Sequence, residues 1–366
     1  MNSLAKKARW AGSLMVAGVL LVTGAGAAAA DQAPEVPGAT AVGWRSLGLA
    51  VSPDGTRAYV VAWDRVGSDL SVVLRTVDTR TGTVVARLAL ADTGTAGRPV
   101  VSPDGSRLYV VVSEQLVAVS TATNTVLSRT PAPDQPRPAG WSQGRLTGLA
   151  VSRDGARVYV DQYGPYGLNQ GVGTGRVLVF STGQDAFTST VPVGGYQVDS
   201  IAVAPNGGAA YVSTDQGLFH LDTGGAVPAV ARVVDRLGAS TELAPSPDGT
   251  RLYALGWQTG SGTGYEVDTA RDTARPAVTF GSGWVDVHFV SVSPDGRRLY
   301  VLKDGWAPKA SVLSFDTATN TGVPAETLTG FALDGVSDAA VGPDGHTLYV
   351  VGLHGGDGSY LKTVGF

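Results

Sequence analysis

The sequence predicts an all-β fold, a seven-bladed β-propeller, on three observations. A turn of the form Ser-Pro-Asp-Gly recurs seven times, a Tyr stands four residues after the Gly of each turn, and both repeat with a period of about 40 to 50 residues amid strand-like runs. The tyrosines are Tyr59, Tyr109, Tyr159, Tyr211, Tyr253, Tyr300 and Tyr349, each followed by Val or Ala. A unit of this kind cannot bury both of its faces alone, so the units must stack in a ring.

Each element has a local cause. In Ser52-Pro53-Asp54-Gly55 the Pro presets φ for the second turn position, the Asp bonds nearby backbone, and the Gly takes the positive φ that closes a bulged hairpin. The same holds at Ser102–Gly105, Ser246–Gly249 and Ser293–Gly296, with one change at Ser152–Gly155 and at Gly342–Gly345, and more loosely at Ala204–Gly207. Apolar runs such as Leu49-Ala50-Val51 precede the turns, and β-branched runs such as Ala58-Tyr59-Val60-Val61 follow them, which predicts two strands. A second hairpin turns near Asp78–Gly82, Ser120–Asn124, Asp268–Asp272 and Asp316–Asn320. Four antiparallel strands per blade are expected.

These motifs resemble the YVTN-type β-propellers, secreted bacterial proteins whose blades read S-P-D-G, then Y-V, then a D-T-x-T-N turn. The resemblance covers about Pro34 to Phe366 and is weakest in the second hairpins around Asp185 and Gly224. It implies a WD40/YVTN-like repeat protein, extracellular or periplasmic, that binds rather than catalyses. Two related signatures are lacking. Trp63-Asp64 is the only Trp-Asp pair and is expected in a loop, and no sialidase-type Asp box occurs.

The last repeat holds three strand-like runs, Ala339–Val341, Leu348–Val351 and Tyr360–Val364. The segment Glu35 to Val42 precedes the first blade unclaimed, and is expected to supply the missing outer strand and close the ring. Residues 31–366 are therefore read as one propeller domain, expected to be a monomer. Residues 1–30 are read as a signal peptide: Lys6, Lys7 and Arg9 are followed by the apolar run Trp10–Val22 and by Ala28-Ala29-Ala30 before Asp31. Cleavage there would leave no membrane span and a secreted chain. With no Cys, disulfides, haem attachment and a lipoprotein anchor are excluded. The net charge of −4 and the scarcity of Lys argue against nucleic acid.

Aligning the repeats on their turns sets Ala50, Val100, Ala150, Ala202, Ala244, Ser291 and Ala340 at one inner-strand position. Two residues earlier, toward the opposite channel mouth, stand Gly48, Arg98, Gly148, Ser200, Glu242, Phe289 and Asp338. Arg98, Glu242 and Asp338 are charged where the blade asks only for small residues, which marks them as candidate ligand-binding groups. His288 and Asp286 lie nearby, and a divalent cation on Glu242 and Asp338 is the candidate cofactor. Solvation or mutual pairing of the three charges is the competing reading. Loops on the same side carry Trp141, Tyr163, Tyr166, Trp284 and Trp306, a candidate recognition surface for a protein, cell-surface or saccharide ligand. A binding scaffold is the function expected. The alternative is a lactonase-type hydrolase or lyase with a metal or acid-base site at the channel mouth; no G-x-S-x-G, H-E-x-x-H or Gly-rich phosphate loop is present.

Overall fold

A computed structural model describes residues 36, 38–167, 170–171, 173–234, 237, 240–256, 261–282, 286–304, 310–356 and 358–365. Seven antiparallel sheets of four strands follow one another along the chain, apart from the closing blade and a small accessory hairpin. Blade 1 is Arg45–Val51, Arg57–Val66, Asp69–Asp78 and Thr83–Ala91. Blade 6 departs from the pattern: its outer strand is split into Thr321–Gly322 and Leu328–Thr329 around a 3-10 turn at Pro324–Glu326. Trp63-Asp64 lies within a strand rather than the expected loop, and Asp64 there pairs with Arg75 at 2.6 Å and Arg87 at 2.8 Å.

Blade 7 is closed by the N-terminal segment. Gly335–Val341, Thr347–His354 and Gly358–Gly365 form three strands, and Ala39–Gly43 pairs antiparallel with the last of them, Thr40 opposite Leu361. The strand is shorter than the expected 35–42 and begins later. Val42 is fully buried against Leu49, Val60 and Leu361, so the closing strand also joins blade 7 to blade 1.

The two repeated motifs prove to be parts of one device. In each inner hairpin the small residue faces the conserved-spacing Tyr across the ladder: Ala50 opposite Tyr59, Val100 opposite Tyr109, Ala150 opposite Tyr159, Ala202 opposite Tyr211, Ala244 opposite Tyr253, Ser291 opposite Tyr300 and Ala340 opposite Tyr349. The Thr of the second turn then donates to the carbonyl of the first turn's Gly in the same blade, as Thr79 to Gly55, Thr121 to Gly105 and Thr269 to Gly249, each at 2.6 Å. Tyr211 also reaches the Thr269 carbonyl of the following blade at 3.4 Å. The D-T turn thus ties a blade to itself and to its predecessor.

Successive Ser-Pro-Asp-Gly turns form a second ring of contacts. A Cβ on Gly55 would stand 3.0 Å from Pro343 of blade 7, and Gly105, Gly155, Gly249, Gly296 and Gly345 likewise lie against the Pro of the preceding blade. The turn glycines also sit at positive φ, +72° at Gly55, so conformation favours glycine at each, and packing adds to this at Gly55 and Gly345, where a Cβ would stand 3.0 and 3.3 Å from the facing Pro. Gly207 has no such neighbour, because Arg153 replaces the Pro in the blade before it. There Arg153 donates to the Pro205 carbonyl at 2.8 Å instead. The apolar core lies between blades: among the described residues, six clusters each draw from two successive sheets, such as Tyr59, Leu74, Leu108 and Val117 from blades 1 and 2.

Candidate functional site: the channel mouth and the cap over blade 3

A β-bulge positions the mouth residues. In six blades the inner strand shifts register just before the position two residues ahead of the small one, between Ser46 and Gly48, Ser240 and Glu242, and Val336 and Asp338 for example. Blade 2 shows the same shift between the isolated bridge of Ala96 with Val112 and the pair of Val100 with Tyr109, but its inner strand is only Val100–Val101, where Pro99 lacks the N–H a longer ladder needs. Arg98 consequently precedes the strand and approaches blade 1 closely. A Cβ on Gly48 would stand 2.6 Å from the Arg98 Cα and 2.9 Å from Pro99, so glycine at 48 is a condition for this approach.

Arg98, Glu242 and Asp338 come together. Arg98 donates from Nε to Asp338 Oδ2 at 2.8 Å and from Nη2 to Oδ1 at 2.6 Å, a two-pronged pair, and Nη1 reaches Glu242 Oε2 at 3.2 Å. Asp338 is 1 % exposed and also accepts the Leu49 amide of blade 1 and the Ala339 amide, both at 2.8 Å. Burial raises its pKa, against the pull of Arg98 and these amides. Glu242 keeps an 18 % exposed side chain. Its pKa is pushed up to about 7, first by desolvation and further by Asp338, against the attraction of Arg98. One guanidinium stands between two carboxylates, so the triad carries a net negative charge that a single proton relieves. The guanidinium fills the place between Glu242 and Asp338 in which a divalent cation was expected. Among the described residues no three His, Asp or Glu side chains are grouped as for a metal.

The aromatic loops behave differently from one another. Trp284 and Trp306 fall outside the described residues. Asp286 and His288 lie on the blade 6 inner strand Asp286–Val292, where only the backbone is described. His220 stacks on Tyr211 at 5.1 Å and holds Asp272 at 2.9 Å, a packed role. Tyr163 corrects the expectation of a solvent-facing ring. It is 8 % exposed, donates to Asp199 Oδ1 at 2.8 Å, packs edge-on to Tyr196, and carries Arg145 over its face at 4.6 Å.

Trp141 and Tyr166 do form a surface. The accessory hairpin pairs Tyr166–Gly167 with Gln170–Gly171, and Ser142 and Tyr166 exchange backbone hydrogen bonds at 2.8 and 3.0 Å, adding a third extended segment. The Trp141 ring lies over Gly167, whose Cβ would be 2.8 Å from it. Tyr166 is 44 % exposed. The base is rigidly held: Gln135 donates to the Tyr163 carbonyl at 2.9 Å and accepts the Gly144 amide at 2.8 Å, while Gln162 bonds the Gly144 carbonyl at 2.7 Å and the Arg176 guanidinium at 2.6 Å. Arg176 holds the Pro133 and Asp134 carbonyls. Residues Asp134 to Trp141 line an open hollow of about 480 Å³. Arg137 is among the lining residues, bonding Asp134 at 2.6 Å and the Trp141 carbonyl at 3.1 Å.

The chain is similar in structure to Kuenenia stuttgartiensis hydrazine synthase. The TM-score is 0.67 at 16 % identity, over 89 % of this chain and 97 % of that one. At that identity the likeness shows the propeller fold. No protein-family model matches the chain, and no curated protein does. Among the described residues no helix is long and apolar enough to cross a membrane.

Sequence reasoning missed Gln135, Gln162, Arg176, Asp161 and Asp199. Asp161 was within reach of the rule that found the triad: it occupies the register of Val61, Val111, Ser213, Leu255, Leu302 and Val351, two residues after the repeated Tyr, and is the one charge in that series.

Proposed function

We propose that the chain is an exported, non-catalytic binding module, and that the cap over blade 3 recognises a saccharide. The observation that carries this reading is the cap itself. Loops 133–145 and 162–167 are pinned by buried side chains, Gln135, Gln162 and Arg176, that the blade does not need. Such pinning holds Trp141 and Arg137 in fixed places at a hollow of about 480 Å³, with the exposed Tyr166 bonded to the adjoining Ser142. A planar ring beside carboxylate, amide and guanidinium groups suits the alternating apolar and hydroxyl faces of a sugar. The signal-like N-terminus and the YVTN resemblance support export to where such ligands occur. A screen of cell-wall and surface polysaccharides with the purified chain tests the reading, with a retained ligand expected. Retention of proteins alone would transfer the cap to protein recognition.

A second reading draws support from Glu242, whose pKa near neutrality and partial exposure suit general acid–base work. Hydrolysis of a lactone panel that disappears in Glu242→Gln would favour it.

A further inference from the structure

We propose that Asp161 and Asp199 hold a calcium ion at the mouth end of the step between blades 3 and 4. Asp161 is fully buried, and neither of its carboxylate oxygens has a hydrogen-bond partner. It shares a strand face with Tyr159 and Tyr163, which pack against Val198, Ile201 and Val212 of blade 4. Asp199 stands on the facing inner strand Val198–Val203, near enough that its charge acts on Asp161, and it has Tyr163 Oη on Oδ1.

An unsatisfied buried carboxylate beside a second one is costly unless it takes up a proton or something positive lies between them. Asp215 and Arg145 act on Asp199 in opposite senses, and Arg145 lies over the Tyr163 ring, yet no cation pairs with Asp161 among the described residues. The small residue opposite, Gly148, admits the carboxylate itself: a Cβ there would come 3.1 Å from Asp161 Oδ2, a tight contact. The available donors are carboxylates, a phenol and backbone carbonyls, with no thiol or imidazole, which selects a hard cation tolerant of irregular coordination. With two carboxylates the remaining ligands would be carbonyl and water oxygens. The ion would brace Tyr163, whose carbonyl anchors Gln135 and hence the cap. This inference is independent of what the cap binds.

The test is calorimetric titration and thermal melting of the full chain, stripped with a chelator and then given Ca2+ or Mg2+. One Ca2+ per chain is expected, with melting temperature rising with the logarithm of its concentration. Asp161→Asn should abolish both signals and, in chelator, melt no lower than the unsubstituted chain, because an uncompensated charge has gone. Asp199→Asn should weaken Ca2+ by about tenfold or more, as loss of one charged ligand does, and it carries the test if Asp161→Asn does not fold. No heat and no shift in the unsubstituted chain, or an equal shift in all three proteins, would overturn the proposal.

Discussion

Arg98 and Glu242 stand three blades apart, the widest separation a ring of seven allows, and the 3.2 Å ion pair between them therefore crosses the mouth of the central channel. Asp338, next but one to blade 2 around the ring, secures the other side of the guanidinium. The pairing closes the mouth with charge and leaves Glu242 as its partly exposed member.

The first expected consequence is a stability profile that falls with rising pH across a defined window. The Glu242 pKa is raised in the fold from 4.5 to about 7, so the folded state holds its proton more tightly than the unfolded chain. Its contribution is fully present below pH 4.5 and is lost as pH rises toward 7, by at most about 3 kcal/mol at ~1.4 kcal/mol per unit, less for its remaining exposure. The turn aspartates act oppositely. Asp54, Asp104, Asp154, Asp248 and Asp295 are held below 3.8, first by the Ser hydroxyl of each turn, and their contribution is lost as pH falls through those lowered values. Urea midpoints of the unsubstituted chain and of Glu242→Gln between pH 3 and 8 check both limbs. Only the upper limb should flatten in the variant.

Gly48→Ala should destabilise by about 1–3 kcal/mol, as overpacking against backbone does, since its Cβ would meet the Arg98 Cα at 2.6 Å. Denaturant unfolding measures this, and an unchanged midpoint would mean that blade 2 can withdraw from blade 1 freely.

Deleting residues 36–43 should lower stability by several kcal/mol, a large share of the usual ~5–15, because the last blade loses its outer strand and Val42 leaves the contact with Leu49 and Leu361. Thr40 and the Val42 carbonyl also bond Gly82 and Arg75 of blade 1. A melting temperature that does not move would reduce the segment to a tail.

The blades were legible because their cause is local and repeated. Pro, Gly and Tyr at fixed offsets force the same hairpin wherever they occur, and the equivalence of Ala50 with its six counterparts followed from counting residues alone. The meeting of Arg98, Glu242 and Asp338 was legible for a related reason, since each broke an otherwise small series. What escaped depends on geometry that no offset encodes. Which of solvation, mutual pairing or a bound cation the three mouth charges adopt is one such case, and in the structure Arg98 pairs with both Asp338 and Glu242. Tyr163 looked like its exposed neighbour Tyr166, but strand alternation turns it toward blade 4 and Asp199. Arg153 shows the converse, a visible departure from Pro whose effect, a bond to Pro205, only the packing of adjacent turns discloses.

The N-terminal segment makes a further prediction that is separate from the propeller. The small residues Ala28 to Ala30 favour signal peptidase cleavage before Asp31. Intact-mass measurement of exported protein should give a chain starting at Asp31, and a mass that includes Trp10 would contradict both cleavage and release.

Recognition by the cap over blade 3 is tested most directly by calorimetric titration of the bound polysaccharide's oligosaccharides into three proteins: the unsubstituted chain, Trp141→Ala with Tyr166→Ala, and Glu242→Gln. Loss of two aromatic contacts at a rigid site should weaken binding by about 1–3 kcal/mol, roughly 10- to 100-fold, while the mouth variant binds as before. Full affinity in the aromatic variant together with lost affinity in Glu242→Gln would place recognition at the channel mouth and contradict the cap.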